Sequence, residues 1–465
     1  MCGLSEGPSI TRRAALGVLA AAGVGYAAFG PRGTRDPLAR GRVQLTYWEK
    51  WTGQEALAMQ RLVDKFNQSQ DRVYVRYLSM TMIEQKAMVA IAGGSPPDII
   101  GLYNKNLPLF AESKAILPLG ELAAKHGLVR ETYADAIWRL CNVHVRDANS
   151  VMGPPQLYGL PNTCSTMALY YNKRLLVEAG YDESVVPTSI SQLDAMAEDF
   201  TIIDASKPGA GRLVRLGFTP SEPGWWPHVW GPHFGGSLYD RDNDKATAAS
   251  DAVVRAYEWV QGYPDRLGVQ DVMGFQSGLG GYNSAEQPLI LGRVAMCLHG
   301  PFLVNVIKQF KPDFPFGVAP FPCEWRTEAN TPPTGLVETD VLVIPSNCKH
   351  PAEAMEFIAF TQKPENTEQL CIDHAKPSPL ASCSADYYAR HPNPYIGVHE
   401  AIARSPRGFG YPETRVWNEY ENIFRRTFER DIWQLSMRAR EALTNVQTSA
   451  QAAIDLARDR RRLRA

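Results

Sequence analysis

Residues 43–101 read VQLTYWEKWTGQEALAMQRLVDKFNQSQDRVYVRYLSMTMIEQKAMVAIAGGSPPDIIG and show the clearest structural pattern in the chain. Short runs with alternating apolar residues predict strands, and longer runs with apolar residues at helical spacing predict helices. The predicted order is strand 43–48, helix 55–67, strand 73–78, helix 81–92 and strand 97–101. The apolar face of the first helix is predicted to comprise Leu57, Met59, Leu62, Val63 and Phe66. Strands that alternate with helices in this way predict a parallel α/β sheet.

Aromatic and polar residues stand at the ends of two of these strands. Trp48-Glu49-Lys50-Trp51 end the first strand, and Tyr103-Asn104 follow the third. In open α/β sheets, ligands bind outside the carboxyl ends of the strands. The sequence therefore predicts a ligand site at this edge of the sheet.

The rest of the chain predicts a second α/β unit that begins near residue 159. Along the rest of the chain, strands are predicted at 169–171, 294–298 and 341–345. Helices are predicted there at 173–179, 189–200, 251–261, 351–362 and, almost continuously, 413–464.

The composition is that of an ordered globular protein. The chain has 465 residues, of which 45% are hydrophobic and 21% charged, and this length suffices for two or three domains. Lys and Arg total 48 against 49 for Asp and Glu, so the net charge of −1 gives no general attraction for nucleic acid. The basic run Arg458–Arg464 has no aromatic residue among its arginines, and we expect a solvated helix end there.

The first residues have the outline of an export signal. Thr11-Arg12-Arg13 precede an uncharged stretch of small and apolar residues from Ala14 to Gly30, which predicts a twin-arginine leader. Residues 1–41 are interpreted as leader and linker, and cleavage or retention as an anchor stays open. The predicted location is periplasmic or anchored at the outer face of the cytoplasmic membrane.

The cysteines do not indicate a metal site. Seven follow the leader, none forms a C-x-x-C pair, and no cysteine–histidine cluster has the spacing of zinc ligands. We expect buried thiols, with a bridge such as Cys371–Cys383 left open. Neither a metal nor a cofactor is predicted.

Nucleotide and catalytic motifs are weak. The glycine-rich stretch 274–282 lacks the Gly-Lys-Ser/Thr that ends a phosphate-binding loop, and no G-x-S-x-G motif is present. Glu49, Glu338 and Asp340 leave open a glycosidase that uses a pair of carboxylates. We favour the interpretation that these groups bind a ligand without reacting, so the protein is predicted not to be an enzyme.

An ordered set of segments resembles the extracellular solute-binding proteins of ATP-binding-cassette importers, in the carbohydrate-binding group that includes maltose-type proteins. The segments cover nearly the whole chain after the leader: Tyr47–Trp51, Gly94–Ile99, Ala111–Leu119, Tyr158–Pro161, Leu169–Lys173, Gly235–Leu238, Leu291–Pro301 and Lys349–Phe360. One departure is Cys297-Leu298-His299-Gly300, where the family more often has an apolar residue and then a small polar or acidic residue before the glycine.

The resemblance implies two α/β lobes joined by crossing segments, with the ligand in the cleft between them. Lobe one is expected to comprise residues 42–161 plus 334–382, and lobe two residues 162–333 plus 383–465. The lobes close around the ligand by hinge bending, and the closed form docks on membrane permease subunits. The resemblance thus implies a sugar or oligosaccharide carrier, and we expect a monomer that has no nucleic-acid partner.

The residue types at the predicted loops suit a sugar. A sugar has an apolar C–H face and a rim of hydroxyls, so its binder needs flat aromatic rings and polar groups that donate and accept hydrogen bonds. The candidate ligand-binding residues are Trp48, Glu49, Trp51, Tyr103, Asn104, Asn162, Trp225, Trp226, His299, Glu338 and Asp340.

Two other functions stay open on the same fold. A binder of a non-sugar solute such as glycerol phosphate needs a cluster of basic residues, and Lys50 and Lys105 are the basic residues in the predicted loops. A sensor subunit that reports ligand occupancy to a membrane kinase has the same sequence features as a transport subunit.

Overall fold

The computed structural model describes residues 37–147, 149–206, 212–325, 328 and 330–463. The predicted export leader lies outside these residues. Among the helices that the structure describes, none is both long and apolar enough to cross a membrane.

The strands of the described residues are β1 (Val43–Glu49), β2 (Val73–Ser79), β3 (Ile99–Tyr103), β4 (Asn142–Arg146), β5 (Met152–Leu157), β6 (Leu160–Thr166), β7 (Ala168–Asn172), β8 (Ile202–Ile203), β9 (Leu213–Arg215), β10 (Tyr239–Asp240), β11 (Lys245–Ala246), β12 (Met296–His299), β13 (Phe316–Ala319), β14 (Gly335–Val343) and β15 (Gly408–Phe409).

The α-helices are α1 (Gly53–Ser69), α2 (Ile83–Ala92), α3 (Leu107–Glu112), α4 (Gly120–Ala124), α5 (Asp135–Cys141), α6 (Lys173–Glu178), α7 (Ile190–Phe200), α8 (Trp230–His233), α9 (Asp251–Leu267), α10 (Val269–Ser277), α11 (Leu303–Phe310), α12 (Pro351–Thr361), α13 (Pro364–His374), α14 (Ala385–Arg390), α15 (Ile396–Ala403), α16 (Trp417–Thr427) and α17 (Ala439–Leu463).

The first sheet is built on the predicted segment 43–101. Its strand order is β15-β14-β3-β1-β2, and β6 also pairs with β14. β1 runs parallel to both β2 and β3, as predicted. β14 is antiparallel to β3 and to β6, so the complete sheet is mixed and not purely parallel.

The helix after β1 packs on this sheet through its apolar stripe. Met59, Leu62, Val63 and Phe66 are buried as predicted. Leu57 is 53% exposed, so its assignment to the apolar face is wrong. At 100° per residue, Leu57 lies about 170° from the centre of the stripe formed by these four residues, so it is on the solvent-facing side of the helix.

The second sheet is antiparallel, with the order β12-β7-β13. All five residues of β7 are buried, which fits a central strand covered on both faces. The chain passes from the first sheet to the second through Met167 alone, between β6 and β7. It returns to the first sheet at β14, which pairs antiparallel with β6.

The basic end of the chain is not simply solvated. On α17, the Arg461 guanidinium lies 2.9 Å from Glu112 Oε2 and 3.2 Å from Asp244 Oδ2. Arg458 lies 3.6 Å from the same Asp244 oxygen. The expectation of a solvated helix end is therefore wrong for these two arginines, because α17 folds back along the molecule and meets buried carboxylates.

Replacing Arg461 with methionine is expected to lower the free energy of unfolding by about 1–2 kcal/mol. The loss is smaller than for a fully buried pair because Arg458 stays beside Asp244. Urea denaturation measures it, with the exposed Arg462→Met as the matched control. Equal changes in the free energy of unfolding in the two variants would show that the ion pairs of Arg461 do not stabilise the fold.

The seven cysteines of the described residues all carry free thiols. Cys371 and Cys383 belong to one small hydrophobic cluster with Tyr387 and Ile396, but no bridge joins them. The interpretation of these thiols as buried apolar groups is confirmed for Cys141, Cys164, Cys297, Cys323 and Cys371.

Candidate ligand-binding cleft

A cleft of about 670 Å³ opens between the edge of the first sheet and the loops of the second unit. This volume lies in the usual range of small-molecule sites. One wall carries charged groups from β14 and from the loops after β1 and β3. The opposite wall is largely aromatic. The residues that line the cleft include Trp51, Glu55, Tyr103, Lys105, Trp225, Trp226, Phe302, Glu338, Asp340, Lys376, Tyr411, Glu421 and Arg425.

Asp340 is the centre of the charged wall. Its Oδ1 lies 2.9 Å from Lys50 Nζ, and its Oδ2 lies 3.3 Å from Lys376 Nζ. Oδ2 also accepts a hydrogen bond from the Thr163 hydroxyl at 2.6 Å. The side chains of these two lysines and of Asp340 are at most 7% exposed. Both carboxylate oxygens are thus occupied by the protein itself.

The electrostatics of this group follow from its geometry. Burial opposes ionisation of Asp340, but Lys376 and Lys50 outweigh burial and hold its pKa well below the ordinary value. Burial likewise opposes the charge on Lys376, and Asp340 and Glu55 outweigh it, so that the pKa of Lys376 is raised. All three groups are charged at neutral pH.

Glu55, on the first turn of α1, joins the charged group of Asp340, Lys50 and Lys376, which lies beside Trp51. Glu55 Oε1 lies 2.9 Å from Lys376 Nζ. Trp51 meets the ring of His374 edge-on at 4.5 Å between centroids, and Lys376 Nζ lies 5.6 Å from the Trp51 ring. Trp51 is therefore fixed against the charged wall, with 3% of its surface exposed.

Glu338 lies two residues before Asp340 on β14 but has different surroundings. Its Oε2 accepts a hydrogen bond from the Tyr411 hydroxyl at 2.5 Å. Burial raises the pKa of Glu338, the Tyr411 hydrogen bond lowers it, and the nearby Asp340 charge raises it, with a net increase. No ion pair joins Glu338 to a basic side chain of the described residues, so its second oxygen is available to a ligand hydroxyl.

The aromatic wall is formed by Trp225, Trp226 and Phe302. The rings of Trp225 and Trp226 meet at 5.5 Å with an angle of 80° between their planes, and Phe302 lies 6.1 Å from Trp225. Behind them the buried His299 ring lies 5.4 Å from Trp225 and 6.2 Å from Trp226. Burial lowers the pKa of His299 to about 4, so this ring is neutral at physiological pH.

The cations that line the cleft are bonded within the protein. Lys105 Nζ lies 2.8 Å from Glu421 Oε2. Arg425 donates to the carbonyl oxygens of Gly224 at 2.6 Å and Trp225 at 3.1 Å. Lys376 is engaged by Asp340 and Glu55, as described above. The two lysines are thus paired with carboxylates, whereas Arg425 keeps its charge but has donors engaged by neutral carbonyl oxygens.

The structure brings six of the eleven predicted site residues to the cleft wall. These are Trp51, Tyr103, Trp225, Trp226, Glu338 and Asp340. Direct ligand contact by them stays a prediction.

The other five predicted residues do not line the cleft. Trp48 faces away from Tyr47 and Glu49 because side chains alternate along β1, and it packs against the hydrophobic core. Glu49 is fully buried, where it accepts a hydrogen bond from Tyr47 and meets Lys50 Nζ at 3.1 Å. A side chain at Gly101 would collide with the Glu49 carboxylate. Glu49 thus supports Lys50 from beneath the wall.

Asn104, Asn162 and His299 are also buried. Asn104 Oδ1 accepts a hydrogen bond from the Thr339 backbone at 3.0 Å, which fixes β14 next to the cleft. Asn162 lies at the register shift in the antiparallel pair of β6 and β14, and its amide has no hydrogen-bond partner among the described residues. His299 supports the aromatic wall from behind.

Sequence reasoning missed several lining residues, which include Glu55, Phe302, Lys376, Tyr411, Glu421 and Arg425. Phe302 directly follows Leu291–Pro301, one of the segments that resemble the family, so its position next to that segment could have indicated it. Lys376 and Arg425 come from distant parts of the chain, and no local pattern marks them.

These features define a class of protein: a two-lobed binding protein that holds a small solute in the cleft between its lobes. The chain belongs to the bacterial extracellular solute-binding protein family, whose pattern matches residues 61–393.

Two similar proteins have names that give different ligands. The maltotriose-binding protein of Pyrococcus abyssi (strain GE5 / Orsay) is 20% identical over 334 residues, which are 72% of this chain and 66% of that protein. The sn-glycerol-3-phosphate-binding periplasmic protein UgpB of Pectobacterium atrosepticum is 25% identical over 191 residues, 40% of this chain and 39% of that protein. Each match spans less than two thirds of the relative.

A solved structure matches a larger part of this chain than either of these relatives does. The structure of CpMnBP1 with mannotriose bound is 25% identical to this chain and superposes with a TM-score of 0.73. The match covers 88% of this chain and 100% of that one. The two-lobed α/β fold expected from the sequence is confirmed.

Proposed function

We propose that the protein captures an uncharged sugar or oligosaccharide in the cleft and delivers it to the permease subunits of an ATP-binding-cassette importer. One observation carries the choice of ligand. The lysines and the arginine on the cleft wall are bonded to the protein's own acceptors, while the Glu338 carboxylate and the aromatic wall face the cavity. This combination suits hydroxyl donors on a ring with an apolar face.

A panel of ligands tests the proposal. Mannobiose, mannotriose and maltotriose are titrated against the purified protein, with sn-glycerol 3-phosphate as the anionic comparison, and calorimetry and the melting temperature are recorded. We expect at least one of the neutral sugars to bind and to raise the melting temperature. Stabilisation by sn-glycerol 3-phosphate alone would contradict the proposal.

Replacing Trp225 with alanine is expected to weaken sugar binding about tenfold, because the ligand loses one aromatic surface in a largely apolar contact. The dissociation constant from calorimetry measures the change. Trp325→Ala is the matched control, since Trp325 is 40% exposed and does not line the cleft. Equal effects of both variants would exclude Trp225 as a binding surface.

We propose that the protein is not an enzyme. A glycosidase needs one carboxylic acid and one carboxylate placed around the substrate bond. Asp340 has both oxygens occupied by Lys50, Lys376 and Thr163, and Glu49 is buried beneath the wall. Turnover of polymeric or aryl-glycoside substrates that Glu338→Gln or Glu49→Gln abolishes would establish the enzyme instead.

The lobe boundaries and the export route are part of the proposal. We propose lobe one as residues 42–161 plus 334–382 and lobe two as residues 162–333 plus 383–465, with the hinge in the paired strands β6 and β14, which both belong to the first sheet.

The family is extracellular, and we propose export by the twin-arginine leader. Replacing Arg12 and Arg13 with lysine is then expected to retain the protein in the cytoplasm, which fractionation measures.

A further inference from the structure

A carboxylate lies behind the aromatic wall, outside the cleft. Glu222 begins the loop that carries Trp225 and Trp226. Its Oε1 accepts a hydrogen bond from Gln276 Nε2 at 2.8 Å, and its Oε2 accepts one from the Tyr282 hydroxyl. We call Glu222, Gln276 and Tyr282 the Glu222 clamp.

Glu222 has no room for a ligand of its own. The space beside it is a cavity of about 10 Å³, which holds at most one water molecule. No ion pair joins Glu222 to a basic group in the described part of the chain, and burial raises its pKa despite the hydrogen bonds from Tyr282 and Gln276. Burying a carboxylate without a counter-charge destabilises the folded protein. The groups that compensate Glu222 are its two hydrogen-bond donors, Gln276 and Tyr282.

The two hydrogen-bond partners of Glu222 have different contacts: Tyr282 meets Trp225, and Gln276 is bonded to the core. The Tyr282 ring meets the Trp225 ring at 5.9 Å with an angle of 64°. Gln276, at the end of α10, also accepts a hydrogen bond from the buried Trp433 indole at 2.8 Å, so it is fixed to the core. From the other side, Arg425 holds the Gly224 and Trp225 carbonyls. The loop is thus held at both ends.

We propose that Glu222 is the positioning residue of the aromatic wall: through Tyr282 and Gln276 it fixes the ring of Trp225 in the orientation that meets the ligand. This inference rests on the proposed function, because it assigns Glu222 a role in the affinity of the same cleft. It gives Glu222 no contact with the sugar.

A double-mutant cycle tests the proposal. Glu222→Gln is made in the wild-type protein and in Trp225→Ala, and the dissociation constant is measured with mannotriose or maltotriose, whichever the wild type binds more tightly. We expect Glu222→Gln to weaken binding about fivefold in the wild type and by less than twofold in Trp225→Ala. Without sugar, acrylamide quenching of tryptophan fluorescence is expected to increase in Glu222→Gln, and this increase is expected to vanish in Trp225→Ala.

Asp194→Asn is the matched control. Asp194 is also a half-buried carboxylate of the second unit and accepts hydrogen bonds from Tyr263 and Trp259, but it lies away from the cleft wall. It is expected to lower the melting temperature without changing the sugar affinity. Tyr282→Phe, which removes one hydroxyl and keeps the ring, replaces Glu222→Gln if that variant does not fold.

The outcomes separate the two proposals. Unchanged affinity and quenching in Glu222→Gln, or equal losses of affinity in both backgrounds, would overturn the positioning role. If the wild type binds no sugar but the change in quenching depends on Trp225, the proposed ligand is wrong and the positioning role stands.

Discussion

Replacing Asp340 with asparagine is expected to lower the free energy of unfolding by about 3–5 kcal/mol, because it leaves two buried ammonium groups without their shared carboxylate. Lys50 and Lys376 keep one partner each, Glu49 and Glu55. Urea denaturation at neutral pH measures the change. Sugar affinity is expected to fall as well, since Lys376 and Trp51 form one side of the cleft.

The pH dependence of this variant has a definite sign. The pKa of Asp340 is lower in the folded protein than its ordinary value of 3.8. The stability that Asp340 contributes is therefore complete well above pH 3.8 and is lost as the pH falls toward the folded pKa. The difference between wild type and Asp340→Asn is expected to be largest at neutral pH and to shrink below about pH 4.

The matched control is Asp135→Asn. Asp135 pairs with Arg130 at 3.0 Å, but both side chains are more than 60% exposed, so we expect a change below about 1 kcal/mol. If Asp340→Asn costs no more than this control, the buried network is not a source of stability.

The fold was predictable where local pattern and burial agree. In residues 43–101 the periodicity of apolar residues predicts β1 to β3 and the two helices between them, since each side chain there points either to the sheet or to solvent. The alternation with helices also predicts that these three strands are parallel, but an isolated strand has no such signal of its direction. A continuous apolar run such as residues 341–345 predicts a strand but cannot show that β14 lies antiparallel to β3 and β6.

The candidate site was predictable only in part. Trp51, Trp225 and Trp226 stand in loops, where aromatic residues indicate a binding surface. Trp48 is still within β1, on the face opposite Tyr47 and Glu49, and does not line the cleft. Lys376 and Glu55 meet across more than 300 residues of chain, and such a pair leaves no local trace. The same reason explains why α17 could be predicted but the partners of Arg461 could not.

Replacing Glu338 with glutamine is expected to weaken sugar binding about ten- to hundredfold, the loss for a hydrogen bond to a charged acceptor. Glutamine keeps the size of the side chain and an oxygen for the Tyr411 hydroxyl. It replaces the other carboxylate oxygen with an amide NH2, which donates hydrogen bonds and cannot accept one from a ligand hydroxyl. Calorimetry with the sugar that binds the wild type measures the loss.

Stability is expected to change in the opposite direction. The pKa of Glu338 is raised above its ordinary value of 4.5, so ionising this carboxylate disfavours the folded state, and stability falls as the pH rises from 4.5 through the folded pKa. Glu338→Gln removes this cost, and its free energy of unfolding at neutral pH is expected to equal or exceed that of the wild type. Glu419 is exposed on α16, the helix that also carries Glu421. Glu419→Gln is the matched control and is expected to change neither the free energy of unfolding nor the sugar affinity. A Glu338→Gln variant that is less stable and binds sugar normally would show that this carboxylate is structural, whereas lost affinity with retained stability identifies it as a group kept in the cleft for its ligand.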